Sequence, residues 1–265
     1  MKIRFLNQKN RSILREMVVT DFKVRYQGSV LGYAWSVLRP LFIFVILYIV
    51  FVKFLRIGGD IPFFAVYLLL GIVLWQFFSD TTNTAMTSIV ARGDLIKKIS
   101  IPRYLVVVSS GVSALINLSI NLAVVMIFVF VAGVDIQSSW LLLPLYIIEL
   151  FVFAMALGFF LSALFVKYRD ASYIWEIAMQ AGFYATPILY PLTIVPEKYQ
   201  PYLMLNPAAQ IIQDSRWALV SHETLSSWKV LSMPQLLIPF AIIIFIVVIA
   251  VHYFKKESHY FAERI

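Results

Sequence analysis

The chain has 265 residues, 61% of them hydrophobic and only 14% charged, and its mean hydropathy is +0.85. A soluble domain carries about 25% charged residues, so this chain lacks the charge to cover a water-facing surface, and its apolar content equally excludes disorder; lipid is the natural solvent for most of it. The absence of cysteine removes disulfides, thiolate metal ligands and cysteine nucleophiles together, and the net charge of +8 is informative through its placement along the chain rather than as a sign of nucleic acid.

The first 33 residues hold no apolar core followed by a small-residue cleavage site, so no cleavable signal peptide is expected. From Ser12 to Tyr26, Leu14, Val18, Phe22 and Tyr26 recur every four residues, with Ile13 and Met17 beside them, while Arg11, Arg15 and Lys23 lie off that stripe. The pattern predicts a basic amphipathic helix in the membrane interface, broken at Gly28. It is either a topology anchor or a docking surface for a cytoplasmic partner.

A helix needs about 20 apolar residues to cross the hydrocarbon core. Six stretches qualify: Tyr33 to Leu55, Ile61 to Ser79, Tyr104 to Val134, Ile136 to Val166, Ile177 to Val195, and Val230 to Phe254. The first carries Arg39 and Lys53 near its ends, where long side chains reach the headgroups; the fourth is interrupted only by Glu149. The predicted fold is therefore all-α: a cytoplasmic interfacial segment (1–32), a six-helix transmembrane domain (33–255) and a short tail (256–265). An even number of spans puts both termini on one side. Seventeen Lys and Arg residues fall on that side and five on the other, which predicts cytoplasmic termini.

The connection Arg92-Gly-Asp-Leu-Ile-Lys-Lys-Ile-Ser-Ile-Pro-Arg103 contains Asp94 to cap a short helix over Leu95 to Ile99, and Pro102 to open the next span. It is either a plain positive loop or a capped helix with apolar and basic faces for a cytoplasmic motor. The outward connection 191–232 is about forty residues long, far beyond ordinary loops, and is apolar and proline-punctuated rather than polar. Asn206-Pro207 reads as an N-cap with a first-turn proline, followed by Ala208, Ile211, Ile212, Trp217, Leu219 and Val220. Re-entrant or interfacial helices are expected there, as a lid over a channel exit or as an exterior cap packed on the bundle.

Aromatic residues make up 16% of the chain; many belong to interfacial belts or to the core, yet Tyr33, Phe42, Trp75, Phe77, Phe78, Trp175, Phe183, Tyr184 and Tyr190 crowd the first, second and fifth spans, where rings could form a slide for a glycan. Glu149, Asn117 and Asn121 are intramembrane polar groups expected to face the bundle interior. The three histidines are scattered and no phosphate-binding loop is present, so any ATP must be hydrolysed by another subunit. An integral membrane transferase would need paired carboxylates or a metal cluster, and Asp80, Asp94, Asp170 and Glu176 form no tight constellation.

The stretch Arg15-Glu-Met-Val-Val-Thr-Asp-Phe-Lys-Val-Arg-Tyr-Gln-Gly-Ser-Val-Leu-Gly-Tyr-Ala-Trp35 resembles the start of polysaccharide ABC exporter permeases. So do Leu38-Arg-Pro-Leu41, Gly71-Ile-Val-Leu-Trp75, Asp94-Leu-Ile-Lys-Lys98 with Ile101-Pro-Arg103, Pro187-Ile-Leu-Tyr-Pro191 with Ile194-Val-Pro-Glu-Lys-Tyr199, and Asn206-Pro207. Six short motifs in series, over nearly the whole chain, resemble the Wzm-like permeases of O-antigen, capsule and teichoic acid export. The resemblance implies a non-enzymatic subunit of the bacterial cytoplasmic (inner) membrane, with no cofactor. It pairs with a second copy of itself and with two copies of a cytoplasmic ABC ATPase, and passes a lipid-linked polysaccharide to the outer leaflet. It implies ATPase docking by Arg15, Arg92, Asp94, Leu95, Lys97, Lys98 and Arg103. A channel near Tyr33, Phe42, Trp75, Phe183, Tyr184 and Tyr190 is implied as well, with Arg39 at a lipid pyrophosphate or headgroup. The exterior gate then holds Pro196, Asn206, Ile211, Ile212 and Trp217. An exporter of a drug or small amphiphile shares this architecture and is the alternative cargo.

Overall fold

In a computed structural model, described for residues 8–26, 31–56, 61–98 and 101–265, every regular element is a helix. Helix α1 (Gln8–Tyr26) lies on α5 (Arg103–Val131), with Met17 and Val18 buried and Arg15 exposed, so the predicted stripe is the packed face. Gly28 lies outside the described residues. Helix α2 (Trp35–Tyr48) carries Pro40 inside it and widens into a π-helical turn over Ile49–Phe54.

Helix α3 (Phe64–Ala91) runs twelve residues beyond the expected end of its span. The polar extension stays helical because its hydroxyls satisfy themselves on the preceding turn: Thr81 donates to the Phe77 carbonyl at 2.7 Å, Thr82 to Phe78 at 3.0 Å and Ser88 to Ala85 at 2.7 Å. A short helix, α4 (Gly93–Lys98), leads to α5, and a 3-10 turn (Ser138–Leu142) leads into α6 (Leu143–Lys167). Gly158 lets α6 press against α3; a Cβ there would stand 2.6 Å from that of Ala85.

Helices α7 (Ala171–Ala185), α8 (Gln200–Met204), α9 (Pro207–Leu219), α10 (Ser227–Val230), α11 (Met233–Ser258) and α12 (Phe261–Arg264) complete the chain. Among the described residues five helices are long and apolar enough to cross a membrane: Trp35–Phe54, Phe64–Ala91, Arg103–Val131, Ser138–Lys167 and Met233–Ser258. The expected span Ile177 to Val195 takes a different form. Its helix is α7, which starts six residues earlier and, at about 1.5 Å per residue, is about 22 Å long against a hydrocarbon core of about 30 Å. It stops because Thr186 turns extended ahead of Pro187.

The ends of α3, α6 and α11 and the start of α5 meet in one apolar cluster with Met17, Ile96 and Phe261. The described N- and C-terminal helices both join that end of the bundle. Helices α6 and α11 both run toward it, so α7 and the proline-rich stretch behind it carry the chain back.

That return depends on α9. Asn206 caps α9 by accepting from the Ala208 amide at 3.1 Å, with Pro207 in the first turn, as the sequence predicts. Arg216 of α9 is fully buried. Its Nε donates to the Tyr67 carbonyl at 2.9 Å, Nη1 to Pro187 at 2.6 Å and Nη2 to Ile188 at 2.7 Å. The guanidinium lies over the Tyr67 ring, 3.6 Å from its centroid. Gly71 makes room for it, since a Cβ there would sit 2.1 Å from Nη2. Two residues away, Asp214 accepts from the Ser227 amide and hydroxyl, each at 2.7 Å, and from Gln210 Nε2 at 2.8 Å. Burial pushes the Asp214 carboxyl above the usual carboxylate range, and those donors pull it back.

Replacing Arg216 by Met leaves the Pro187 and Ile188 carbonyls without their donor, at about 1–3 kcal/mol each, while the Tyr67 carbonyl keeps its helical bond. Thermal unfolding of the detergent-purified protein should show a loss of at least about 2 kcal/mol. Arg216→Lys should not restore it, because a lysine ammonium lacks the planar fork that reaches three carbonyls.

Candidate functional site

The end of the bundle that gathers both terminal helices is basic and built from parts distant in sequence. Arg92, at the C-terminus of α3, forms an ion pair with Asp21 of α1. It also donates to Ser109 Oγ at 2.7 Å and to the Val106 carbonyl at 3.4 Å on α5. Asn10 Nδ2 donates to the Tyr104 hydroxyl at 3.2 Å. These bonds hold α1 along the start of α5. Helix α4 packs Ile96 inward, leaves Leu95 half-buried and turns Asp94, Lys97 and Lys98 outward. Lys97 Nζ donates to the Ile265 carbonyl at 2.5 Å, and Ile265 lies against Gly93, where a Cβ would meet its Cγ2 at 2.2 Å.

Of the residues expected to dock an ATPase, Arg15, Asp94, Lys97 and Lys98 are therefore outward, Arg103 is half-buried, and Arg92 turns inward as a clasp. Asp21, Tyr104 and the tail Phe261–Ile265 were missed. Asp21 is one of only two acids in a run of basic and apolar residues, which is the signal that could have found it.

Between α2, α3 and α5 lies a cavity of about 310 Å³ whose polar wall is formed by Arg39, Gln76, Asp80, Asn117 and Asn121, with Trp35 beside them. Gln76 Nε2 donates to Asp80 at 2.7 Å, and Asn121 Nδ2 donates to the Asn117 carbonyl at 2.9 Å. Pro40 also lines it and offers no N–H to the carbonyl of Ser36, another wall residue. A charged, amide-rich cavity within membrane-spanning helices is a place for a polar ligand. Arg39 is the expected channel residue found there.

Most of the other expected channel rings gather along α3 and α7. Trp75 lies 6.2 Å from Phe183 between centroids, Phe183 lies 5.4 Å from Tyr184, and the Tyr190 hydroxyl donates to the Tyr184 carbonyl at 3.3 Å. Trp75 is buried and Tyr184 is exposed. Phe42 projects from α2, more than half exposed, and the Tyr33 backbone falls in the 3-10 turn Gly32–Ala34. In the exterior segment Pro196 is exposed and Ile211 and Ile212 are fully buried. Trp217 stacks on His222 at 4.3 Å and meets Trp228 edge-on at 4.6 Å. Glu149 of α6 is mostly buried near Gln210 of α9, and its Oε1 has no hydrogen-bond partner among the described residues.

Residues 14–220 match the family described as ABC-2 type transporter. The chain is 33% identical over 193 residues to an O-antigen export system permease protein RfbA of Klebsiella pneumoniae, covering 72% of this chain and 74% of that protein. It is 28% identical to the protein of the same name in Myxococcus xanthus, covering 80% and 82% respectively. Identity to a polysialic acid transport protein KpsM of Escherichia coli is 24%, covering 77% and 80%.

Breaking the clasp should free α1. With Arg92→Ala, limited proteolysis in detergent should cleave α1 at least about fivefold faster, equivalent to about 1 kcal/mol of lost docking. The charge swap Asp21→Arg with Arg92→Asp should recover part of the protection.

Proposed function

Because the chain belongs to the ABC-2 type transporter family, we propose that it is the permease subunit of an ATP-driven exporter. The cargo is a lipid-linked polysaccharide of the O-antigen, capsule or teichoic acid kind. The observation that carries this reading is the similarity to O-antigen export permeases over about three quarters of the chain, joined to an intramembrane cavity that sets Arg39 and Asp80 among amide groups. The chain has no phosphate-binding loop of its own, so the nucleotide is hydrolysed by a separate cytoplasmic subunit. Arg15, Asp94, Lys97 and Lys98 face outward and would meet it, with the half-buried Arg103 beside them, while Arg92 and Leu95 hold their helices in position.

A second copy of the chain completes the conduit. Helix α7 leaves Tyr173, Ile174, Ile177 and Tyr184 more than 60% exposed, an apolar face for a partner copy or lipid, and the aromatic cluster of Trp75, Phe183, Tyr184 and Tyr190 lies along it. The charge asymmetry sets both termini in the cytoplasm, with the protein in the cytoplasmic membrane of a bacterium. Arg39 meets the anionic part of the lipid carrier. In the exterior segment α9 is locked into the core, so the moving part of a gate is the exposed stretch from Pro196 to Tyr199.

Deleting the gene should remove the surface polysaccharide and leave lipid-linked glycan inside the cell; undiminished surface polymer with no glycan retained would refute the reading. For the motor, Arg15→Glu with Lys98→Glu should lower ATPase co-purification by at least about tenfold, through reversed charge at two contacts.

A further inference from the structure

At the end of the bundle opposite the basic face, a second cavity of about 300 Å³ opens between the start of α3, α9 and the turn around Glu223. Gln213 of α9 lines it and is fully buried. Its Oε1 accepts from the Tyr67 hydroxyl at 3.1 Å and from Arg216 Nη1 at 3.4 Å. Those two donors determine which way the amide points, because a reversed amide would set its NH₂ against them. Among the described residues Nε2 is left with no protein partner, and so is the buried hydroxyl of Thr224 on the same wall. Buried donors without partners are costly and call for acceptors from a ligand or water.

The rest of the lining narrows the ligand. Glu223 stands exposed at the rim as an acceptor, and among the described residues no Lys, Arg or His lines the cavity, so it does not suit an anionic group. Pro62, Pro191 and the Tyr67 ring give it an apolar wall. The turn carrying Glu223 and Thr224 is held from behind: Lys229 Nζ donates to the His222 carbonyl at 2.5 Å and to the Thr224 carbonyl at 3.4 Å, and the Ser227 amide is bound by Asp214.

We propose that this cleft is a saccharide site, taking one sugar unit with its hydroxyls on Gln213, Thr224 and Glu223 and a C–H face on the apolar wall. The size agrees, since about 300 Å³ is the lower end of small-molecule sites. The choice of a sugar among hydroxyl-rich ligands rests on the export reading. At this end of the molecule the site receives polymer that has crossed the bundle.

The test uses the full chain in lipid nanodiscs. The probe is the delipidated surface polysaccharide released by mild acid from the cells that make the protein, observed by saturation-transfer difference NMR. Wild type should show saturable transfer. Thr224→Val and Glu223→Ala should each raise Kd by about tenfold, as expected for one lost hydrogen bond to the ligand. Thr193→Trp, at the exposed rim, should plug the mouth and abolish transfer, and none of the three should lower the temperature of thermal unfolding. Transfer that is absent, as for a cleft holding ordered water only, or that is equal in wild type and Thr193→Trp, overturns the site. Cells that export polymer through a protein that binds no sugar would refute the site and leave the exporter standing. Sugar binding that depends on Thr224, in a protein whose deletion leaves surface polymer intact, would support the site and refute the exporter.

Discussion

A bilayer interior offers no hydrogen bonds to a polypeptide, so any backbone that leaves helical geometry there must find partners in the protein. This chain leaves it at Thr186, and the carbonyls of Pro187 and Ile188 are met by the guanidinium of Arg216. The same group reaches the Tyr67 carbonyl, so one side chain ties together the end of α7, the first half of α3 and the exterior helix α9. Gly71 supplies the space and Tyr67 the aromatic face. With α9 fixed in this way, Asp214 holds the Ser227 amide and with it the turn that returns the chain to α11.

The two ends of the bundle are built by opposite chemistry. At one, cations face outward on α1 and α4 while Arg92 and an apolar cluster lock three distant helices together. Such a surface can pass a push from a cytoplasmic motor into α3 and α5, because the docking helices and the spans share one packed core. At the other, charges are few, polar groups are buried, and the cleft beside Gln213 presents donors rather than a cation. Between them the cavity on α2, α3 and α5 carries Arg39 and Asp80 among amides. In the proposed exporter, a lipid-linked polysaccharide would meet polar groups at both places.

Much of this was readable in the sequence where one physical rule dominated. Apolar length located five spans, four-residue periodicity gave the buried face of α1, and Asn206-Pro207 marked the start of α9. The reading was weaker where two rules competed. Lack of charge suggested a span through Val195, but Pro187 ends the helix, and apolar composition does not distinguish helix from extended chain covered by protein. Arg216 looked like one of five cations on the outward side; its role depends on carbonyls 28, 29 and 149 residues away, which no local pattern reveals. The sequence directs Asn117 and Asn121 toward the bundle interior, and the cavity they share with Gln76 and Asp80 needed three dimensions to appear.

Hydrogen–deuterium exchange of the wild-type protein in lipid nanodiscs tests the role of Arg216 most directly. Peptides covering 207–219 and 186–190 should exchange as slowly as those from the centre of α3, since a fully bonded, buried segment opens only with the bundle. Exchange of these peptides within seconds, while α3 stays protected, would show an exterior segment resting loosely on the spans and would contradict a structure held by that guanidinium.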